Sequence, residues 1–80
     1  MKETIEKILA EVDDELLTYT GDNMLTDGVI NSFELLALVE ELEDAFDIEI
    51  DASYVVEKYF GNKDKIIALM EMLLANEGKE

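Results

Sequence analysis

The chain has 80 residues, which is enough for one small domain over residues 1–80 and leaves no room for a second. Its 21 acidic residues against six lysines give a net charge of −15, which excludes nucleic-acid binding because phosphate contacts need a cationic surface. The chain contains no Cys and no His, so it lacks the commonest general base and the usual metal ligands, and we do not expect an enzyme.

The negative charge is unevenly distributed, because no basic residue occurs from Ile8 through Glu57. An anionic membrane surface would repel such a chain, whereas basic protein surfaces would attract it. The residues from Met1 to Lys7 contain no apolar run typical of a signal peptide, and no apolar stretch approaches the roughly 18 residues of a membrane span. We therefore expect a cytoplasmic monomer, without a membrane span, that binds proteins with basic patches.

The first predicted element is a helix over residues 3–17. Its apolar residues recur at the spacing of one buried helical face: Ile5, Ile8, Leu9, Val12 and Leu16. From residue 18 to residue 31 this periodicity ends and turn-forming residues accumulate, including Gly21 and the pair Asp27-Gly28. The pattern predicts a long loop after the first helix.

The most informative stretch begins at Asn31. This residue is placed as an N-cap, and Glu34 three residues later completes the spacing of a capping box, which predicts a helix over residues 32–46. Its core stripe consists of Leu35, Leu38, Val39, Leu42 and Phe46. Ser32 would be the first helical residue, outside the core and beside backbone N–H groups without helical partners. A phosphate ester on Ser32 would lie at the positive end of the helix dipole.

The remaining residues predict a connection and two further helices. Residues 47–51 alternate in polarity, and we expect an extended connection that buries Ile48 and Ile50. Asp51 or Ser53 is placed to cap a short helix that continues through Tyr59, and Asn62 is placed to cap a last helix over residues 63–75. The predicted fold is all-α: a small four-helix bundle with three long helices, one short third helix and a long loop between helices 1 and 2.

The residues around Asn31-Ser32-Phe33 resemble a known family. The segment from Asn31 to Ile50, with its acidic helix ending in Phe46-Asp47-Ile48-Glu49-Ile50, is similar to the second helix and following loop of acyl carrier proteins. The approach segment Leu25-x-x-Asp27-Gly28-Val29-Ile30 is similar to that of stand-alone bacterial carriers, including D-alanyl carrier proteins. The resemblance extends from the first helix to the last.

The resemblance implies that Ser32 carries 4′-phosphopantetheine and that an acyl or aminoacyl group travels on this arm as a thioester, in a fatty acid, polyketide or D-alanyl transfer pathway. The implied partners are a phosphopantetheinyl transferase and acyl- or aminoacyl-transferring enzymes with basic patches. The implied partner-recognition residues are Asn31, Phe33, Glu34, Glu43 and Asp44, and the residues implied to contact the arm are Tyr54 and Tyr59. Asn31 stands where the family usually has Asp, which removes one negative charge.

The residues leave a second class of function open. An acidic helical interaction module that binds basic protein surfaces would share the charge and the helices but would carry no prosthetic group. A metal site is not expected, because aligning Asp27-Gly28 with a calcium-binding loop puts Leu25 at a position that requires an oxygen ligand.

Overall fold

Three main helices form the framework of this all-α fold. The computed structural model describes residues 2–77, and within that range there is no strand. The main helices are α1 (Lys2–Val12), α3 (Ser32–Phe46) and α5 (Lys63–Glu77), and the shorter pieces are α2 (Asp14–Thr18), a 3-10 helix (Ala52–Tyr54) and α4 (Glu57–Phe60). Helix α1 packs against α2, α3 and α5, and α4 packs against α5. The all-α class was therefore predicted correctly.

The first predicted helix is divided in two at Asp13. This residue has extended backbone angles (φ −168°, ψ 121°), and its side chain accepts a hydrogen bond from the Glu15 N–H at 3.0 Å. An Asp side chain that bonds nearby backbone in this way favours the start of a new helix over the continuation of the old one. The single helix over residues 3–17 was therefore a wrong prediction, although Ile5, Leu9 and Leu16 are all fully buried.

The loop between α2 and α3 is anchored to the segment that runs from α4 to the start of α5. Met24 is completely buried and Ile30 nearly so, which fixes the middle and the end of the loop in the core. Four hydrogen bonds join this loop to α4 and the start of α5: Met24 N to Gly61 O at 2.8 Å, Asn23 Nδ2 to Glu57 Oε2 at 2.7 Å, Asn62 Nδ2 to Gly21 O at 3.3 Å, and Lys65 Nζ to Asp22 O at 3.0 Å. The loop therefore delivers the chain to a defined starting point for α3.

Helix α3 ends at Asp47, which adopts the left-handed conformation (φ 53°, ψ 50°) and donates its N–H to the Glu43 carbonyl. Two isoleucines of the following segment, Ile48 and Ile50, are buried without forming a strand. The predicted extended connection is confirmed. Because a residue with φ above zero cannot continue a right-handed helix, Asp47 sets the point at which α3 stops.

The predicted short third helix is also divided. Asp51 caps the 3-10 helix by accepting a hydrogen bond from the Ser53 N–H at 2.9 Å, and Val56 then returns to an extended conformation before α4. Val55 and Val56 separate the two pieces, and β-branched residues lower helix propensity. One continuous helix through Tyr59 was therefore a wrong prediction, because two short helices occupy this segment.

The core lies where the three main helices and the loop meet. It is entirely apolar among the described residues, with Phe60, Leu42 and Met70 among its largest fully buried side chains. The radius of gyration is 11.7 Å, against about 11.6 Å for a compact domain of this length. The last helix is capped by Asn62, whose Oδ1 accepts from the Lys65 N–H at 2.9 Å, as predicted.

A membrane-spanning helix would need both length and a continuous apolar surface. Within residues 2–77 no helix has both properties.

Candidate functional site

The start of α3 is built by a reciprocal pair of hydrogen bonds. Asn31 has extended backbone angles (φ −101°, ψ 176°), and its Oδ1 accepts from the Glu34 N–H at 2.9 Å. In return, Glu34 Oε1 accepts from the Asn31 N–H at 3.2 Å. These two bonds form the predicted capping box and satisfy two backbone donors that the helix itself cannot satisfy. The first turn of α3 is therefore fixed in place.

Ser32 is the first residue of α3, and its side chain is exposed. None of the hydrogen bonds found between residues 2 and 77 involves its hydroxyl, whereas both of its neighbours in the capping box are engaged. The chain contains no His that could act as a general base for this hydroxyl. The arrangement can accept a covalent group on the Ser32 oxygen, but it does not activate that oxygen as a nucleophile.

Phe33 follows Ser32 directly, and 85% of it is exposed. Leu36, one turn later, is 59% exposed. Both residues lie outside the buried stripe of α3, in which Leu38, Val39 and Leu42 are buried. The exposed side of α3 is thus partly apolar close to Ser32.

The acidic residues of α3 differ in what they do. Asp44 is exposed, but Glu43 is half-buried, and its Oε2 accepts a hydrogen bond from the Ile50 N–H at 2.8 Å. This bond holds the connection after α3 against the end of that helix. The structural contact of Glu43 was missed from the sequence, because nothing local signals a bond between residues seven positions apart across a helix end.

Not all the predicted site residues are brought together. Asn31, Ser32, Phe33 and Glu34 are consecutive residues at the start of α3, from its N-cap through its first turn. Glu43 lies eleven residues further along the same helix from Ser32, a rise of about 16 Å. A partner that touches both Ser32 and Glu43 must therefore cover most of the length of α3.

The two tyrosines predicted to contact a prosthetic arm form a pair. The ring centroids of Tyr54 and Tyr59 are 5.2 Å apart at an interplanar angle of 77°, the edge-to-face arrangement that aromatic rings favour. Lys58 Nζ lies 5.4 Å from the centroid of the Tyr59 ring. Both tyrosines are half-buried, whereas the adjacent Phe60 is completely buried in the core.

An apolar cleft that the sequence did not predict lies between the end of α1 and the first turns of α3. It is lined by three apolar residues, Val12, Phe33 and Ala37, and by three acidic residues, Glu11, Glu34 and Glu41. We call this the α1–α3 cleft. It shares Phe33 and Glu34 with the predicted partner-recognition residues, but Glu11 and Val12 come from a different helix. Such a cleft depends on how two helices pack, so one-dimensional spacing does not reveal it.

Two titratable groups in the loops before and after α3 have shifted pKa values. The Tyr19 hydroxyl donates a hydrogen bond to the Asp27 carboxylate, and this bond raises the pKa of Tyr19 above its ordinary value. The Ser53 N–H donates to the Asp51 carboxylate, and this bond lowers the pKa of Asp51. Both bonds hold loops in place: the first lies just before Gly28, which needs a positive φ of 75°, and the second lies before the tyrosine pair.

Among residues 2–77, no group of three or more His, Cys, Asp or Glu side chains is arranged to hold a metal ion. No family model, no curated protein and no solved structure matches this chain. The function is therefore inferred from the geometry at the start of α3 and from the residues around Ser32.

Proposed function

We propose that this protein is a cytoplasmic, monomeric acyl carrier in which Ser32 holds a 4′-phosphopantetheine arm and the cargo is an acyl or aminoacyl thioester. The observation that carries the proposal is the exposed Ser32 side chain on the first turn of α3, at a helix start fixed by a capping box. A phosphodiester at this position would be stabilised by the positive end of the helix dipole. A transferase can reach the hydroxyl without disturbing the core.

The order of the helices supports the same function. In a carrier-type four-helix bundle, α1 with α2 would be the first helix, α3 the second, the 3-10 helix with α4 the short third, and α5 the fourth. The loop over residues 19–31 would be the long first loop of such a bundle. Its buried Met24 and its bonds to α4 suit a loop that must present Ser32 at a constant position.

The chemistry assigned to the chain itself is simple. With coenzyme A as the donor, the Ser32 oxygen forms the ester bond to the phosphorus that carries pantetheine, the pyrophosphate P–O bond of coenzyme A breaks, and adenosine 3′,5′-bisphosphate leaves. The Ser32 proton goes to a base of the transferase, because this chain has no His to accept it. When attached, the arm supplies a terminal thiol that forms the thioester with the cargo. Tethering the cargo to the protein raises its effective concentration at each partner enzyme.

Other residues would guide the arm and the partners. The half-buried pair Tyr54 and Tyr59 offers an aromatic surface for the arm. Phe33 and Asp44 are exposed on α3 and are available to an enzyme with a basic patch. Asn31 and Glu34 contribute mainly by holding the first turn of α3 in place. These roles suit a carrier whose attachment residue, Ser32, is held at a fixed position while the exposed side of α3 is available to partner enzymes.

The proposal is tested by intact mass. The purified chain is incubated with coenzyme A, magnesium and a broad-specificity phosphopantetheinyl transferase, and we expect a mass gain of one phosphopantetheine. The chain has only two serines, Ser32 and Ser53, and both are exposed. Ser53→Ala is therefore the matched control: it should be modified like the original chain, and Ser32→Ala should gain nothing.

The opposite outcomes are equally clear. A gain that persists in Ser32→Ala and disappears in Ser53→Ala would move the attachment site and overturn the assignment. No gain in the original chain, under conditions that modify a known carrier, would favour the acidic interaction module, for which the exposed Phe33 and Leu36 beside carboxylates would be a docking surface.

A further inference from the structure

A second cleft, between α4 and α5, differs from the rest of the surface in its charge. Its lining is mostly apolar and includes no acidic residue, but it includes two of the six lysines in the chain. The cleft is therefore a local exception in a molecule of net charge −15. We call it the α4–α5 cleft, and its lining residues are Lys58, Tyr59, Lys65, Ala68, Leu69 and Met72.

Both ammonium groups of the cleft have protons available for a ligand. Lys65 Nζ donates to the Asp22 carbonyl at 3.0 Å, which uses one of its three protons. Lys58 is exposed, with its Nζ 5.4 Å from the centroid of the Tyr59 ring. Neither lysine takes part in the salt bridge found within residues 2–77, and the carboxylate of the neighbouring Glu57 is bound by the loop between α2 and α3. The cleft therefore offers two cations to an anion that enters it.

The apolar part of the lining favours an aromatic ring. Tyr59 and Met72 are half-buried, Ala68 is exposed, and Leu69 is almost completely buried. A tyrosine ring and a methionine sulfur both make favourable contacts with aromatic partners. A ring placed against them also removes apolar surface from water. The group that fits the cleft is therefore an aromatic ring attached to an anion.

The size of the cleft limits that ligand to a single ring. Its volume is about 240 Å³, which corresponds to about eight water molecules at their volume in the liquid. Sites for drug-sized ligands are larger, at roughly 300–1,000 Å³. A six-membered ring with a short side chain is suited to the space.

The overall charge of the chain limits the ligand to one negative charge. Long-range repulsion grows with the charge of the approaching group, so an acidic protein or a multiply charged anion is repelled most. A monoanion is repelled least, and physiological salt screens the distant carboxylates over about 8 Å. The two lysines, in contrast, act on it at contact distance.

We propose that the α4–α5 cleft is a binding site for a small aromatic monocarboxylate. The ring of the ligand packs against Tyr59 and Met72, and its carboxylate accepts charge-assisted hydrogen bonds from Lys58 and Lys65. The binding is noncovalent and does not depend on modification of Ser32. It is therefore tested on the unmodified chain, and its outcome is independent of the carrier function.

The test is an NMR titration of the isotope-labelled chain with 3-phenylpropionate up to about 10 mM, because a ligand this small is expected to bind in the millimolar range. We expect amide shifts centred on Lys58, Tyr59, Ala68 and Met72. The neutral analogue 3-phenylpropanamide should bind at least about threefold more weakly, since it loses its charge-assisted bonds. The cationic analogue 3-phenylpropylammonium should give no shifts centred on the cleft.

A pair of lysine variants separates the local cation from the overall charge. Lys58→Gln should weaken the binding of 3-phenylpropionate about two- to fivefold, because one exposed ion pair is lost. Lys7→Gln removes the same charge from an exposed position on α1 and should change the affinity by less than about 1.5-fold. Lys65 is kept in both variants because it also holds the Asp22 carbonyl.

A second pair of variants tests the apolar lining. Ala68→Glu places a carboxylate in the cleft and should weaken the binding by about fivefold or more, since like charges at contact repel. Thr4→Glu adds the same charge at an exposed position on α1 and should leave the binding nearly unchanged. Both positions are exposed on helices and glutamate is a good helix former, so both variants should fold.

Several results would overturn the proposal. Equal affinity for 3-phenylpropionate and its amide would show that the lysines play no part in binding. Equal effects of Lys58→Gln and Lys7→Gln would mean that only the overall charge matters. Binding that survives Ala68→Glu unchanged, shifts centred outside the cleft, or no shifts at the highest concentration would leave the cleft without the proposed ligand.

Discussion

The side chain of Asn31 defines the start of α3. Two replacements of Asn31 separate the contribution of its capping hydrogen bond from that of a negative charge at the same position. Asn31→Ala removes the acceptor of the Glu34 N–H and should lower the free energy of unfolding by about 1 kcal/mol. Asn31→Asp keeps the acceptor and adds a negative charge at the positive end of the helix, which should stabilise the fold by about 0.3–1 kcal/mol. Urea denaturation measures both, and equal stability of the two variants would contradict this role.

The same two variants bear on modification. The carrier family usually has Asp before the serine, so Asn31→Asp should be modified faster by the transferase if the enzyme recognises that charge. Asn31→Ala should be modified more slowly than the original chain, because the first turn that presents Ser32 is less well fixed. Initial rates at equal protein concentration give the comparison. A faster rate for Asn31→Ala would show that the capping box does not assist modification.

Asp51 links stability to pH. Its pKa is lowered below the ordinary value of 3.8 because the folded state supplies the Ser53 N–H to its carboxylate. The charged carboxylate of Asp51 therefore stabilises the folded state at any pH above the pKa that Asp51 has in the unfolded chain. This stabilisation is lost as the pH falls through the lower pKa that Asp51 has in the folded state. Asp51→Asn retains a capping oxygen but does not titrate.

The stability difference between the original chain and Asp51→Asn isolates this charge. We expect the difference to be constant at neutral pH and to move against the original chain as the pH falls below about 4. Denaturation at a series of pH values between neutral and acid measures it. A difference that does not change over this range would show that the carboxylate charge of Asp51 has no role in the cap.

At the scale of the elements, Glu43 connects α3 to the segment that follows it. Glu43→Ala leaves the partly buried Ile50 N–H without its acceptor and should cost about 1–3 kcal/mol. Asp44→Ala is the matched control at an exposed neighbouring position and should stay within about 0.5 kcal/mol. Faster amide exchange at Ile50 in the Glu43 variant would accompany the loss, and equal stabilities would rule out this anchoring role. Partner-binding defects in Glu43 variants therefore need a check of stability first.

The helices whose starts were predicted correctly, α3 and α5, have a capping Asn directly before them. Helix α3 begins at a capping box and has an apolar stripe at one helical spacing, and its range was predicted as Ser32–Phe46. The break at Asp13 escaped prediction because the apolar spacing continues across it from Ile5 to Leu16. At Asp13, the N-cap that its side chain forms for α2 outweighs the apolar periodicity that α1 and α2 share.

The candidate site was predictable to the extent that it is local. Asn31, Ser32 and Glu34 are neighbours in the sequence, and their geometry follows from the capping pattern alone. The α1–α3 cleft and the bond from Ile50 to Glu43 arise from packing between segments that are distant in sequence or separated by a helix end. Neither leaves a spacing pattern that a single sequence can display.

At the scale of the whole molecule, the charge of −15 opposes folding through self-repulsion and favours encounter with cationic partners. Added sodium chloride screens repulsion between exposed charges over about 10 Å at 0.1 M. We therefore expect the melting temperature to rise as salt is increased from low to moderate concentration. A melting temperature that falls with salt would mean that attractive pairs, such as Lys63 with Glu6, outweigh the repulsion.

The most direct test of the proposed carrier function uses the absence of cysteine. Because the chain contains no Cys, any thiol found after modification must belong to the group attached to it. Titration with a thiol reagent, after treatment with transferase and coenzyme A and removal of the free coenzyme, should find one thiol per chain. Before treatment, and in Ser32→Ala after it, the same titration should find none. A treated chain without a thiol, or a thiol that survives Ser32→Ala, would contradict the account.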